Sequence, residues 1–320
     1  MKTDEKQIRH GVALLAVIIL ILAITGGYMA IDRYLVGDEV VTYGMANSTD
    51  KGWMLSTGRI RAYFEEEILT DSVPQTIQNI TAFGLDLAKN RRGAAYFSYP
   101  RPEECGWYGK EQISGWFSIR EDERFHLGDV YLNAMGDDAN SYLYYELVHL
   151  SGSIFPGISA TKWSAFLVNA AALVAVLVLL YGIAGYFTAD TKRKLMVCLL
   201  FGCSVGCLDL STYLRAYMLA MAFQLALLLV HLKLYQAIRN GMEKAVRRDI
   251  VGLLILYPLG YIAHYTTGVW AAVLGIATLV WLGKNLTGQA RKKNMRRYVI
   301  CGILAIGIGY WKDSKEHECK

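Results

Sequence analysis

Charged residues are scarce in this chain. They make up 19% of its 320 residues, whereas hydrophobic residues make up 54% and the mean hydropathy is +0.26. A soluble domain has about one quarter charged residues, so this composition excludes an ordinary soluble domain and is typical of a membrane protein. The net charge is +5, but the basic residues punctuate apolar runs and build no continuous face. This distribution argues against a nucleic-acid partner.

Cysteine is also limited, and its spacing predicts neither a metal site nor a disulfide framework. None of the six cysteines has a spacing typical of metal ligands. Cys198, Cys203 and Cys207 lie inside one apolar run, where they are most simply small packing residues. Cys105 stands alone in a polar region, which gives it no obvious partner.

Long apolar runs are what the chain has in abundance. A membrane-spanning helix needs about 20 apolar residues, with a range of roughly 17 to 25. The first run is longer than the apolar part of a signal peptide and lacks a clear cleavage site, so it is predicted to stay as an anchor. The run at 250–282 is too long for one crossing and is interrupted at 264–268, so it predicts two helices. The predicted spans are 11–31, 163–187, 195–210, 216–238, two within 250–282, and 298–310.

The basic residues then predict an orientation. With seven crossings from a cytoplasmic N-terminus, every Lys/Arg cluster falls on the cytoplasmic side, as the positive-inside rule requires. The fold expected is an all-α polytopic membrane protein of the cell membrane with about 7 transmembrane helices. Its parts are a cytoplasmic N-terminus (1–10), a first span (11–31), a large α-rich outer loop (32–162), the remaining spans (163–310) and a tail (311–320).

Two segments of the outer loop have helical patterns. Residues 73–90 carry apolar side chains at helical spacing, and Asp71 or Ser72 precedes them as a candidate cap. Residues 141–151 are aromatic and amphipathic, a pattern suited to a helix that lies in the membrane interface.

An acidic pair, Asp38 and Glu39, follows the first apolar run and is the first candidate for chemistry. A carboxylate held in a specific place can act as a general base, whereas the simpler interpretation is two solvated charges at a helix end. The predicted topology puts Arg215 and His264 on the same outer face. Alone, Arg215 could be a snorkelling side chain and His264 a helix-end residue that faces water.

Four stretches, in order, carry a resemblance to a known family. They are Asp38-Glu39-Val40-Val41-Thr42-Tyr43, the segment 137–150, Arg215-Ala216-Tyr217-Met218-Leu219 and His264-Tyr265. Together they resemble the polyprenyl-phosphate-sugar-dependent membrane glycosyltransferases with the GT-C fold. Within that fold they are most similar to the bacterial branch of family 39, the protein O-mannosyltransferase-like enzymes. The chain departs from the family at Ala139-Asn140-Ser141, where members have His-Pro-Pro, and it ends at Lys320 where members continue through further spans.

The resemblance implies an inverting transfer of a sugar from a polyprenyl-phosphate donor to an acceptor hydroxyl on the extracytoplasmic face. Asp38 would be the base and Glu39 would orient it or the acceptor. The fixed cation Arg215, with His264 and Tyr265, would bind the donor phosphate.

Asp137 and Asp138 are a second candidate carboxylate site, for positioning the acceptor or for a divalent cation. The metal is left unassigned because such a cation needs more oxygen ligands than the sequence identifies. The expected partners are the lipid-linked sugar donor, membrane lipid, and an acceptor that is a glycan, a lipid or a protein.

The alternative is a truncated or non-catalytic polytopic protein, either a lipid-binding scaffold or a transporter. Transporters are expected to have related halves with interrupted helices in corresponding positions. Only the pair within 250–282 shows such an interruption, which argues against transport but leaves a scaffold open.

Overall fold

The computed structural model describes residues 2–31, 35–47, 68–70, 72–90, 117–135, 142–159 and 161–314. These ranges contain twelve α-helices and two 3-10 turns, and no β-strand, so the all-α prediction is confirmed for the described part of the chain. In chain order the helices are α1 (Lys2–Ile31), α2 (Gly37–Asn47), α3 (Val73–Asn90), α4 (Leu127–Met135), α5 (Tyr142–Ile154), α6 (Trp163–Ala184), α7 (Thr191–Gly202), α8 (Val205–Thr212), α9 (Tyr217–Arg239), α10 (Glu243–Ala263), α11 (Thr266–Asn285) and α12 (Gly288–Ser314).

Four of these helices are long and apolar enough to cross a membrane, rather than the seven that the sequence predicts. They are α1 over Ile8–Ile31, α6, α9 and α11, and the bent pair α7–α8 makes a fifth if it counts as one span. The difference arises mainly at α10 and α12. Both begin with charged turns, which leave 250–263 and 298–311 as their only long apolar stretches.

The run at 195–210, predicted as one short span, is two helices that meet at an angle of 61°. Ser204 lies at the junction in extended conformation, and its hydroxyl accepts a hydrogen bond from the Cys207 N–H at 3.1 Å. A serine that caps a helix in this way starts a new helix and ends the old one.

The break predicted inside 250–282 is present, between α10 and α11. His264 adopts an extended backbone with φ −170° and ψ 133°, so the helix stops at Ala263 and resumes at Thr266. Pro258 lies inside α10 without ending it.

The bundle is built around α6 and α9. α6 is apolar on every face, as expected of a surrounded helix, and packs against α1, α5, α7, α8 and α9. α9 lies against α6 on one side and against α10 and α11 on the other, and α12 closes the far side against α10 and α11.

Three described helices between α1 and α6, namely α2, α4 and α5, pack together at one end of this bundle. α2, α4 and α5 contact one another, and α5 also packs on α6. Tyr144, Tyr145 and Val148 of α5 are fully buried. Burial of these rings makes α5 part of a packed core, and the position of 141–151 in the membrane interface stays a prediction. The helix predicted at 73–90 is α3, and its Val73 and Ile77 side chains are exposed.

Candidate functional site

The site is organised by the turn that joins α8 to α9. Glu39 of α2 is buried, and both of its carboxylate oxygens accept backbone hydrogen bonds: Oε1 from the Leu214 N–H and Oε2 from the Val36 N–H, each at 2.9 Å. The Thr42 hydroxyl, one helical turn later, donates to the Leu214 carbonyl at 2.9 Å. We call Glu39 and Thr42 the Leu214 clamp, because they bind the backbone N–H and the backbone C=O of this one residue.

A second helix holds the same turn from the other side. Asn169 of α6 is fully buried, and its Nδ2 donates to the carbonyl oxygens of Ser211 at 3.1 Å and Tyr213 at 2.9 Å. The backbone polar groups of this turn lie outside regular helix, and side chains from α2 and α6 form hydrogen bonds with them. Buried backbone groups require such partners. The positions of Tyr213 and Arg215 relative to α2 follow from this anchoring.

Asp38 lies next to the Leu214 clamp but faces outward. Its side chain is exposed, and its Oδ2 accepts a hydrogen bond from the Tyr213 hydroxyl at 2.8 Å. The Nη1 of Arg215 donates to the Asp38 carbonyl oxygen at 3.3 Å and lies 3.5 Å from the Tyr145 hydroxyl. The guanidinium is therefore held against α2 through the backbone of Asp38.

Tyr213 is the donor in its contact with Asp38. Burial, together with the hydrogen bond to Asp38, raises the pKa of Tyr213 to about 12. The phenol consequently stays protonated at neutral pH and keeps one oxygen of Asp38 occupied.

A row of aromatic rings connects Asp38 to the break between α10 and α11. Tyr213 and Tyr217 stack with their centroids 5.9 Å apart and their planes 5° from parallel. Tyr217 lies 5.2 Å from the ring of His264, which stacks in turn on Tyr265 at 4.6 Å. The row brings together residues from chain segments about 50 positions apart.

His264 is buried, and its hydrogen bonds define its tautomer. Its Nδ1 accepts from the Thr266 N–H at 3.3 Å and lies 2.8 Å from the Thr266 hydroxyl. Burial, and then the nearby charge of Arg215, lower the pKa of His264. The ring is therefore neutral at neutral pH, with its hydrogen on Nε2, so that Nε2 can donate a hydrogen bond.

The structure brings four of the predicted site residues to one end of the bundle: Asp38, Arg215, His264 and Tyr265. Glu39 lies with them, but both oxygens of its carboxylate accept hydrogen bonds from backbone N–H groups. Its role is therefore to hold the turn that carries the other site residues. Asp137 and Asp138 lie outside the described residues. Within the described ranges, no group of three or more His, Cys, Asp or Glu side chains is placed to hold a metal ion.

Sequence reasoning missed Tyr213 as a contributor to the site. The residue stands two positions before Arg215, in the short stretch between the predicted spans 195–210 and 216–238. A phenol at that position can reach α2 only because the turn is anchored by residues more than 40 positions away. In the sequence, only the proximity to Arg215 could have singled out Tyr213, and nothing there indicated that it would contact Asp38.

His149, in the α5 segment, has a structural role. Its Nδ1 donates to the Ala46 carbonyl at 2.8 Å, which fastens α5 to α2. Burial lowers the pKa of His149, so the ring is neutral at neutral pH.

Comparison with protein-family models, with curated proteins and with solved structures gives no match for this chain.

Proposed function

We propose that the chain is a membrane glycosyltransferase that moves a sugar from a polyprenyl-phosphate donor to an acceptor hydroxyl, with inversion. The observation that carries the proposal is the convergence of an exposed carboxylate, a guanidinium and a neutral histidine from three distant chain segments. The Tyr213 hydroxyl donates a hydrogen bond to the Asp38 carboxylate, and Arg215 donates one to the Asp38 backbone carbonyl. The row of aromatic rings then extends from Tyr213 through Tyr217 to His264. A base together with fixed donors for an anion is what this reaction requires.

Asp38 is the proposed base. An acceptor hydroxyl must lose its proton as it attacks the sugar, and a carboxylate oxygen within hydrogen-bond reach can take that proton. The Tyr213 hydroxyl fixes Oδ2 of Asp38, which leaves Oδ1 for the acceptor. Direct attack from the face opposite the phosphate inverts the anomeric carbon.

Arg215 and His264 are the proposed ligands of the leaving phosphate. Negative charge grows on the phosphate as its bond to the sugar breaks, and preformed donors stabilise that charge. Arg215 presents a planar fork suited to two phosphate oxygens, and the neutral His264 adds an Nε2–H donor. Tyr265 is half exposed beside His264 and would border the donor headgroup.

The orientation proposed is a GT-C-like bundle with the site on the extracytoplasmic face. The distribution of charge supports this orientation, because the described basic residues concentrate at the end of the bundle opposite the site. Glu243 at the start of α10 binds Lys293 and Arg297 of α12, and His10 of α1 lies 3.1 Å from the Thr191 hydroxyl at the start of α7. Basic residues at one end of the spans favour a cytoplasmic position for that end.

The direct test is transfer of labelled sugar from a polyprenyl-phosphate donor by the purified chain, before and after Asp38→Asn. We expect the substitution to lower turnover by about 100-fold or more, because general base catalysis contributes roughly 10²–10⁴. Arg215→Lys should raise the KM for the donor, since an ammonium cannot bind two phosphate oxygens as a fork does.

The matched control is Asp122→Asn. Asp122 is a strongly exposed acid in the same outer segment, and its described ion pair is with Arg120. Turnover in this variant should equal that of the parent chain. Equal turnover of Asp38→Asn and the parent would remove Asp38 from the mechanism, and absence of transfer by the parent would favour the non-catalytic alternative.

A further inference from the structure

Helix α12 carries two rows of side chains that have the same kind of sequence and different surroundings. Residues four positions apart on an α-helix lie on the same face, one above the other, and so form a row along its surface. Each of the two rows has two cations followed by two apolar residues. The outer row is Lys292, Arg296, Ile300 and Leu304, and the inner row is Lys293, Arg297, Cys301 and Ala305.

The inner row faces the protein. Cys301 and Ala305 are buried. Earlier on the same row, Lys293 and Arg297 donate hydrogen bonds to Glu243 of α10, one to each carboxylate oxygen. The two cations of the inner row therefore have their counter-charge within the protein.

The outer row faces away from the protein. Its apolar members, Ile300 and Leu304, are 44% and 51% exposed, and its two cations are exposed as well. Within the described ranges, neither Lys292 nor Arg296 forms an ion pair with an acidic side chain. One residue along the helix thus separates a pair of cations bound to Glu243 from a pair without such a partner.

Acidic residues are scarce around these two cations. Between Glu243 and Tyr298 the sequence contains nine basic residues and two acidic ones. Glu243 binds the cations of the inner row, and the buried Asp249 binds its neighbour Arg248. The helices α10 and α11 and the first half of α12 therefore supply no counter-charge to the outer row.

The level of the outer row relative to a membrane follows from α11. This helix is long and apolar enough to cross a membrane, and α12 begins three residues after it ends. A Cβ added to Gly275 of α11 would lie 3.8 Å from the Tyr298 hydroxyl, so Tyr298 packs beside the middle of α11. Lys292 and Arg296 precede Tyr298 and lie beside the last turns of α11. Because helical side chains lean toward the N-terminus of their helix, both cations reach toward the end of the span, where lipid headgroups lie.

We propose that the outer row binds anionic phospholipids at the end of the bundle opposite the Asp38 site. Lys292 and Arg296 bind the phosphate groups, and Ile300 and Leu304 pack against the acyl chains. A soluble anion would use the cations alone, whereas a phospholipid matches both halves of the row. Clusters of Lys and Arg next to membrane helices recognise anionic headgroups in this way. Such binding is independent of the proposed sugar transfer.

The test measures lipid bound to the full chain in detergent by native mass spectrometry. Palmitoyl-oleoyl phosphatidylglycerol is compared with palmitoyl-oleoyl phosphatidylcholine, which has the same acyl chains and no net charge. We expect the parent to prefer phosphatidylglycerol by about 30-fold or more, since each cation near an anionic surface contributes about 1 kcal/mol. Arg296→Gln should lower this preference about 5-fold, and Lys292→Gln combined with Arg296→Gln about 30-fold.

Arg297→Gln is the matched control. It removes the same charge one position along the same helix, but from the inner row, and leaves Lys293 bound to Glu243. Its preference for phosphatidylglycerol should stay within about 2-fold of the parent. Size-exclusion profiles that match the parent verify that each variant folds, and Lys293→Gln replaces Arg297→Gln if the latter does not.

A further arm separates a lipid from a free anion. Glycerol 3-phosphate, added at the same concentration as phosphatidylglycerol, carries the phosphate without acyl chains and should displace none of the lipid. Displacement by glycerol 3-phosphate would overturn the proposal. So would equal binding of the two lipids by the parent, or the same preference in Arg296→Gln and Arg297→Gln.

Discussion

Loss of charge at the two neighbouring acids of α2 should change the stability of the fold to very different extents. Glu39 is buried and accepts two backbone N–H groups, whereas Asp38 is exposed and accepts one phenol hydrogen. In Glu39→Gln one carboxylate oxygen becomes an NH₂ group that faces a backbone N–H, so a donor meets a donor. We therefore expect Glu39→Gln to destabilise the fold and Asp38→Asn to leave its stability nearly unchanged.

The magnitude follows from the contacts. A hydrogen bond to a charged group contributes about 1.5–3 kcal/mol, and a buried donor left unsatisfied costs about 1–3 kcal/mol. Glu39→Gln keeps one bond and loses the other, which gives about 2 kcal/mol. Glu39→Ala loses both, which gives about 3–4 kcal/mol. Asp38→Asn should change the free energy of unfolding by less than about 0.5 kcal/mol, the range usual for surface substitutions.

The measurement is the thermal unfolding midpoint of the purified chain in detergent, read by near-UV circular dichroism. Thr42→Val is an independent check, because it removes the other half of the Leu214 clamp and should lower the midpoint less than Glu39→Ala does. A midpoint for Glu39→Gln equal to that of Asp38→Asn would refute the assignment of Glu39 to the backbone of the turn.

Two further predictions concern the other end of the bundle and the contact between α1 and α7. Gly202→Ala should destabilise the fold by about 1–3 kcal/mol, because the new Cβ would overlap the fully buried side chain of Ile21, whereas Gly206→Ala, whose Cβ would meet only the Ser204 Oγ at 4.0 Å, should not. The two basic partners of Glu243 on α12 lower the pKa of that carboxyl to about 2, below its ordinary value of 4.5. Its stabilising contribution is therefore complete above pH 4.5 and is lost as the pH falls toward 2, and Glu243→Gln should flatten the pH dependence of the unfolding midpoint in that window.

The helices were largely predictable because their signals are local. Apolar length predicted α1, α6 and α9, and the polar stretch at 264–268 predicted the break before α11. The number of spans was not predictable in the same way. The sequence shows apolar stretches and charged stretches as separate segments, whereas in α10 and α12 a charged first turn and an apolar stretch belong to one helix. Whether such helices cross a bilayer depends on their packing as much as on their composition.

The sequence was enough to predict which residues form the candidate site, but only in part to predict what each of them does. Asp38 and Arg215 could be paired through the predicted topology, since both follow or precede apolar runs on the same face. The role of Glu39 could not be read, because it depends on the Leu214 N–H, 175 positions away. Burial of α5 was missed for a similar reason: aromatic residues at helical spacing fit an interface and a core equally well.

The start of α2 explains how one dipeptide can supply both a support and a reactive group. Consecutive residues of an α-helix point about 100° apart, so when Glu39 turns toward the Leu214 backbone, Asp38 must turn toward the exposed side. Both acids lie in the first turn of α2, where negative charge is favoured by the helix dipole, so neither position is costly to the helix. The buried acid fixes the turn that carries Tyr213, and Tyr213 in turn fixes one oxygen of the exposed acid. The geometry around Asp38 therefore depends on a closed loop of contacts between α2 and the α8–α9 turn, and each member of that loop can be removed singly.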